Sequence, residues 1–424
     1  MKLSMKSFFQ FFSILFFSSI PLMPLYTIDV HRILGAICVM MYAFSIIINF
    51  FKNKKIERLS IFEVLYLFLI IYAWKSISPF LSLKKIDYLY EAQYIVKTML
   101  FNILSVIAAT RLIFFKQEDI KKSILLIGNV ITISTILVST YSIIYEYIYL
   151  MKFSRLGTYL FAGQYGTRMT YTYNLTISIF FLLFNILNNI NKRKSIIYLF
   201  LILIFSILSG TRKLFLIMLV FVTFYYIFSK KVNPAFLIKT LIFGSIFLTI
   251  STVLMFNVPI FYEMFGSRVE SLIIQIQTGE GDSSSWERNL MVKHGKKYFE
   301  TNKMSGIGTN GFKYAFGLDT KIYKYSHNNY IEVAVNFGVK GLLLFYGGII
   351  IILIRLLIYK RGNIDELRNL FISIILSLMV SDYYTVTYYQ IHFLLIFILA
   401  SFYSFNVNKR NKKNNVEVWY GREK

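Results

Sequence analysis

The stretch "SILSGTRKLFLIML", residues 206–219, sets two cations, Arg212 and Lys213, between two apolar runs with almost no loop around them. Each flanking run is apolar enough for a membrane, and such runs recur along the whole chain. The protein has 424 residues, 56% of them hydrophobic and 18% aromatic, with a mean hydropathy of +0.59. Soluble domains hold about 45–50% apolar residues. Crossing a bilayer takes about 20 residues of helix. The runs are continuous, whereas the strands of a membrane barrel alternate. The sequence therefore reads as all-α, a polytopic membrane helix bundle.

Twelve spans are expected, at 8–26, 33–51, 61–80, 94–115, 123–149, 171–190, 195–209, 213–229, 238–258, 341–359, 367–381 and 389–406. The first run lacks a small-residue cleavage site and is read as a span. With both termini in the cytoplasm, the basic loops "KNKKIERL", "KQEDIKK", "NKRK", "SKKVNPAFLIK" and "YKRGNIDELR" all fall inside, as short positive loops do. The tail "NKRNKKNN" joins them. Most of the net charge of +25 is thus a topology signal, and no nucleic acid is implied. The single cysteine, Cys38, excludes an intramolecular disulfide. Four regions follow: spans one to nine in 1–258, a large external loop in 259–340, spans ten to twelve in 341–408, and a basic cytoplasmic tail in 409–424.

Residues 259–328 of that loop run about 70 residues, a length that usually carries function. It opens with "FYEMFGSRVESLIIQIQ", which reads as an interfacial amphipathic helix. Ser284 and Glu287 form a capping-box pattern ahead of a helix from about Trp286 to Glu300. That helix carries Arg288, Lys293, His294, Lys296 and Lys297; for the lysines a solvated basic face is the simpler reading. "GIGTNG", residues 306–311, matches a dinucleotide fingerprint by letter only, because a helix precedes it and no α/β unit surrounds it. It reads as a turn that shapes the loop. His327 stands just before an apolar helix, among Ser326, Asn328 and Asn329, polar groups able to fix a tautomer. Neutral imidazole acts as a base near pH 7. Gly338 and Gly341 are expected to break the helix that follows. At the opening corner, Gly210 permits a tight turn and Ser209 and Thr211 can cap the next helix, with Arg212 in its first turn. A cation there is electrostatically unfavourable, which points to an anion bound at the site.

"LSGTRKLFL", "SWERNLMVKHGKKYFETNKMSGIGTNGF" and "SHNNYIEVAVNFGVKGLLLF" together resemble the landmarks of the O-antigen ligase and Wzy-type polysaccharide polymerase family. The resemblance covers motif order, span number and the place of the large loop. Over the first 200 residues it rests on hydropathy and "SRLGTY". It implies an enzyme of the bacterial cytoplasmic membrane that joins glycans carried on undecaprenyl diphosphate at the external face. Arg212 and Arg288 match the family's arginines, whose planar forks suit a leaving diphosphate. His327 matches its histidine, the base for the acceptor hydroxyl, and transfer would invert the anomeric centre. Arg155, Arg168, Lys213 and Asn328 are expected to help hold phosphate or sugar, and Tyr171 and Tyr173 to stack on sugars. No Asp-x-Asp is present and no metal or cofactor is expected; Glu280 and Asp282 are the nearest acidic pair in the loop.

The implied partners are a lipid-linked glycan donor, a glycan acceptor, the bilayer and other polysaccharide assembly proteins. Two reactions stay open. A polymerase extends one lipid-linked repeat with another, and this is the leading reading. A ligase delivers the glycan to lipid A-core, protein or cell wall. A flippase or ion-coupled transporter would want ionisable groups near the bilayer midplane, whereas Glu63, Lys75, Lys97, Arg111, Glu146 and His392 fall toward span ends.

Overall fold

The structure, a computed structural model, describes residues 5–23, 28–53, 58–77, 86–115, 119–152, 156–160, 168–211, 213–229, 283–358 and 365–420, with isolated positions between 249 and 277. Among these the regular structure is helical. In chain order the helices are α1 (Met5–Leu22), α2 (Ile28–Asn53), α3 (Ile61–Lys75), α4 (Ile86–Ile113), α5 (Ile120–Ile143, continued by a π-helix over Ile144–Tyr149), α6 (Arg168–Leu187), α7 (Lys192–Leu208) and α8 (Lys213–Ser229). Beyond them come α9 (Ser283–Thr301), α10 (Gly311–Thr320), α11 (Asn329–Ile358), α12 (Glu366–Ser381) and α13 (Ile391–Tyr420). Every expected span except 238–258 falls on one of these helices; 238–258 and the segment "FYEMFGSRVESLIIQIQ" lie, but for isolated positions, outside the described residues.

Among the described residues six helices are long and apolar enough to cross a membrane by length and composition, and Lys213–Ser229 and Ile391–Phe405 are shorter apolar helices. A helix apolar on all sides belongs in an apolar medium. On α8 Leu214, Ile217 and Phe221 are buried, while Leu216, Leu219 and Ile227 are exposed. On α2 Met40, Phe44, Ile47 and Phe51 are exposed. Together these describe a polytopic helical membrane protein.

The chain forms two compact units. One comprises Met1–Ser13, Gly35–Ile124 and Leu290–Lys424; the other comprises Ile14–Leu34 and Leu125–Asn289. In the first, α3, α4, α11 and α13 pack together. A carboxylate and a guanidinium are buried there as a pair: Arg111 Nη2 donates to both oxygens of Glu63 at 3.0 Å. The guanidinium also lies over the Phe402 ring at 4.6 Å. Glu63 is spent twice over, since its Oε2 accepts from the Ser60 N–H at 2.6 Å in a capping box that starts α3. These two ionisable groups therefore neutralise each other within the packing. In the second unit α6 packs on α7 and α8 around Leu156, Tyr171, Leu175, Ile202, Phe205 and Leu214.

Three local expectations need correction. The helix of the long loop starts at Ser283, so Ser284 is inside it rather than at its cap. The helix after His327 starts at Asn329 and continues to Ile358, and its break is at Gly338 alone (φ 67°, ψ −163°). Gly341 stays helical. Tyr171 and Tyr173 are buried at 0% and 3% exposure: Tyr171 donates its hydroxyl to Ser139 and Tyr173 faces the Lys213 ammonium at 5.5 Å, so these rings belong to the core.

Candidate functional site

In the first unit, polar groups gather where α11 begins. His327 is half-buried and left-handed (φ 54°). A non-glycine residue there is strained by about 1–3 kcal/mol and persists only where its surroundings over-determine it. They do. The Ser326 N–H donates to Glu332 Oε2 at 2.8 Å, and the Ser326 hydroxyl donates to the Asn328 carbonyl at 2.8 Å. Asn328 caps α11, its Oδ1 accepting from the Ile331 N–H at 3.1 Å. The ring of Tyr325 lies 4.3 Å from the imidazole, centre to centre. The described bonds of Ser326, Asn328 and Asn329 thus shape the backbone that carries the ring.

Asn329 ties this corner to the α12–α13 turn. Its N–H donates to the Asp382 carbonyl at 2.8 Å. Its Oδ1 accepts from the N–H groups of Thr387 and Tyr388 at 2.8 and 3.0 Å, and its Nδ2 donates to Tyr346 Oη and Asp382 Oδ2. The buried Asp382 carboxylate also accepts from Thr387 Oγ1 at 2.6 Å and Tyr346 Oη at 2.8 Å. Burial pushes this carboxyl up to about 7, against those hydrogen bonds.

The "GIGTNG" turn docks against the same unit and is occupied with structure. Ile307 and Gly308 donate their N–H groups to the carbonyls of Val335 and Asn336. Those carbonyls belong to the turn that precedes the break at Gly338. Thr309 donates its hydroxyl to the Ala73 carbonyl at 2.7 Å and accepts at its own carbonyl from Tyr88 Oη at 2.8 Å. Tyr72 Oη donates to the Ser305 carbonyl. A Cβ on Gly306 would come within 2.5 Å of the Asn336 carbonyl, so glycine permits this close approach. Its neighbour α10 is held by Lys313, whose Nζ donates to both oxygens of Glu91.

On α9, Arg288 is exposed, as are Lys293, Lys296 and Lys297. His294 is engaged: its Nδ1 lies 3.2 Å from Tyr298 Oη and 3.3 Å from Asp319 Oδ2. The Tyr298 hydroxyl, followed by nearby Lys297 and His294, holds the Asp319 carboxyl below its ordinary value, with burial opposing.

In the second unit, the opening corner takes its shape from Gly210, which is left-handed at φ 62°. Ser209 donates its hydroxyl back to the Ser206 carbonyl at 2.8 Å and lies 3.0 Å from the Thr211 hydroxyl, which meets that of Thr172 on α6. α8 is described from Lys213, whose Nζ donates to Met169 Sδ at 3.4 Å. Arg212 and Arg155 lie outside the described residues, and Arg168 is described only as the first residue of α6. The chain beside them is placed: the N–H of Leu156 donates to the Leu208 carbonyl at 2.9 Å. The described start of the 156–160 turn thereby lies against the end of α7.

Sequence reading missed the group that folds "LGTYL". Glu146, in the π-helix, is fully buried and accepts from the N–H groups of Gly157, Tyr159 and Leu160 at 3.0, 3.1 and 2.8 Å, and from Ser142 Oγ. It also missed Glu332 and Asp382. The only available signal was their type: acidic residues beside apolar runs in a chain poor in acid.

These elements define a class first: a multi-pass helical membrane protein with an irregular, hydrogen-bonded polar region in each unit. Residues 197–346 match the family model described as O-Antigen ligase. Over this segment the chain matches the O-antigen ligase/Wzy-type family, and the resemblance carried by its motifs is supported there. The match supports an O-antigen ligase or polymerase type of function in polysaccharide assembly, performed by a glycosyltransferase-like enzyme on lipid-linked glycan. No curated protein matches the chain.

Proposed function

We propose that the protein polymerises undecaprenyl-diphosphate-linked repeat units into a surface polysaccharide at the external face of a bacterial cytoplasmic membrane. Arg212 and Arg288 grip the donor diphosphate, and Arg155, Arg168 and Lys213 add positive charge around it. Asn328 reaches substrate from beside the base. His327 accepts the proton of the acceptor hydroxyl as that oxygen attacks the anomeric carbon. The bond from this carbon to the diphosphate oxygen breaks with inversion, and the lipid diphosphate leaves with the electron pair. Fixed cations stabilise charge that develops on the leaving side.

The observation that supports this reading best is that one family match, residues 197–346, encloses Arg212, Arg288 and His327 together. The description of that family as a ligase is the reason to keep the second reaction, transfer to lipid A-core, protein or cell wall.

The test is Arg212→Ala and Arg288→Ala in cells, with protein level followed. Product should disappear while the protein inserts normally. Accumulated lipid-linked single repeats identify the polymerase, and accumulated finished chains identify the ligase. Arg288→Lys should be impaired too, since an ammonium lacks the bidentate fork. A labelled lipid-linked sugar that crosses the membrane without being extended or transferred contradicts the enzyme reading.

A further inference from the structure

The buried carboxylate of Glu146 has no part in the chemistry above, and its position is unusual in three respects. It sits where α5 widens into a π-helix, with Leu150 donating to the Tyr145 carbonyl and Lys152 to the Glu146 carbonyl. Such bulges are frequent at functional sites. Both its oxygens are filled by one short turn, Oε2 by Gly157 and Oε1 by Tyr159 and Leu160. Hydrogen bonds to a charged acceptor are stronger than neutral ones and offset the desolvation of the buried carboxylate. Third, the turn it holds is fastened at its other side to the "SGTRK" corner. Leu156 is fully buried against the core of its unit, and its N–H is bonded to Leu208, two residues before the left-handed Gly210.

We infer that Glu146 is a positioning residue for the donor diphosphate: its backbone carbonyl holds the Lys152 N–H, and by gathering the 156–160 turn against the end of α7 it sets this stretch beside the corner that leads to Lys213. Lys152 Nζ already lies over the Tyr159 ring at 4.6 Å, so one cation of that segment is set by a residue Glu146 binds. Gly157 is left-handed at φ 84° and admits the tight approach of its N–H to the carboxylate. This inference rests on the glycosyltransferase reading and deepens it.

The test uses the full-length protein in detergent with undecaprenyl diphosphate as the probe. Glu146→Gln replaces an acceptor oxygen with a donor NH2 facing N–H groups. Gly157→Ala leaves the carboxylate in place and strains the residue it holds. Asn188→Ala removes a side-chain bond to Tyr225 within the same unit and serves as the control for general weakening. Both turn variants should bind the probe about tenfold or more weakly, a change of about 1.4 kcal/mol at the least. Their donor KM should rise, with kcat at saturating donor within about twofold of the parent, and Asn188→Ala should bind as the parent does. If Glu146→Gln fails to fold, Gly157→Ala decides. Parent-like affinity in a folded Gly157→Ala or Glu146→Gln protein overturns the inference, as does an equal loss in Asn188→Ala. A parent protein that does not bind the probe overturns the functional reading itself, and this inference with it.

Discussion

The two units each carry a stretch of irregular backbone next to apolar helices, and they satisfy it differently. Around His327, neutral amide side chains take the main part: Asn328 caps α11, and Asn329 bridges three backbone groups and two side chains. Around "LGTYL", one carboxylate gathers three N–H groups. The neutral solution leaves a half-buried imidazole in a strained conformation. The charged solution stands beside a segment that itself carries cations. In both, side-chain hydrogen bonds to backbone N–H groups hold the chain that carries the residues assigned chemistry, because a buried N–H without an acceptor costs about 1–3 kcal/mol.

Three substitutions would sharpen or break this contrast. The largest effect is expected from Asn329→Leu, which strips acceptors from two buried N–H groups and a donor from the Asp382 carboxylate. Thermal unfolding in detergent should show a loss of roughly 3 kcal/mol or more; a parent-like transition would mean that the amide bridge contributes little. Gly306→Ala comes next, since its Cβ would meet the backbone of Asn336 at 2.5 Å and φ there is +68°. It should cost about 2 kcal/mol, whereas Gly347→Ala, with nothing within 4 Å, should be close to neutral in the same assay.

The third test is a pH slope. Burial holds the folded Asp382 carboxyl at about 7, while an unfolded chain releases that proton near about 4. The folded protein therefore binds the extra proton between these values. Its contribution to stability is full below about 4 and is lost as pH rises through about 7. Asp382→Asn should flatten the melting temperature across that window. An unchanged slope would place the titration elsewhere.

Much of the fold was legible because lipid demands it. Long apolar runs became helices, Gly210 made the corner, Gly338 broke α11, and "GIGTNG" proved to be a docking turn. The supports of the site were not legible, for a physical reason. Glu146 meets N–H groups 11 to 14 residues away, and Asn329 meets Asp382 at a separation of 53, distances at which no local pattern operates. Tyr171 and Tyr173 went to the core because packing overrides what a residue type can do on a surface. Arg155 and Arg212 lie outside the described residues, so their roles rest on the motifs and on the chain beside them.

The most direct measurement of the central claim is single-turnover transfer by purified His327→Ala from an undecaprenyl-diphosphate-linked glycan, with donor binding followed in parallel. Loss of a general base should slow transfer by about 10²–10⁴-fold while donor affinity stays within about twofold. Transfer at the parent rate by a protein that binds donor normally would contradict the assignment of His327 as the base.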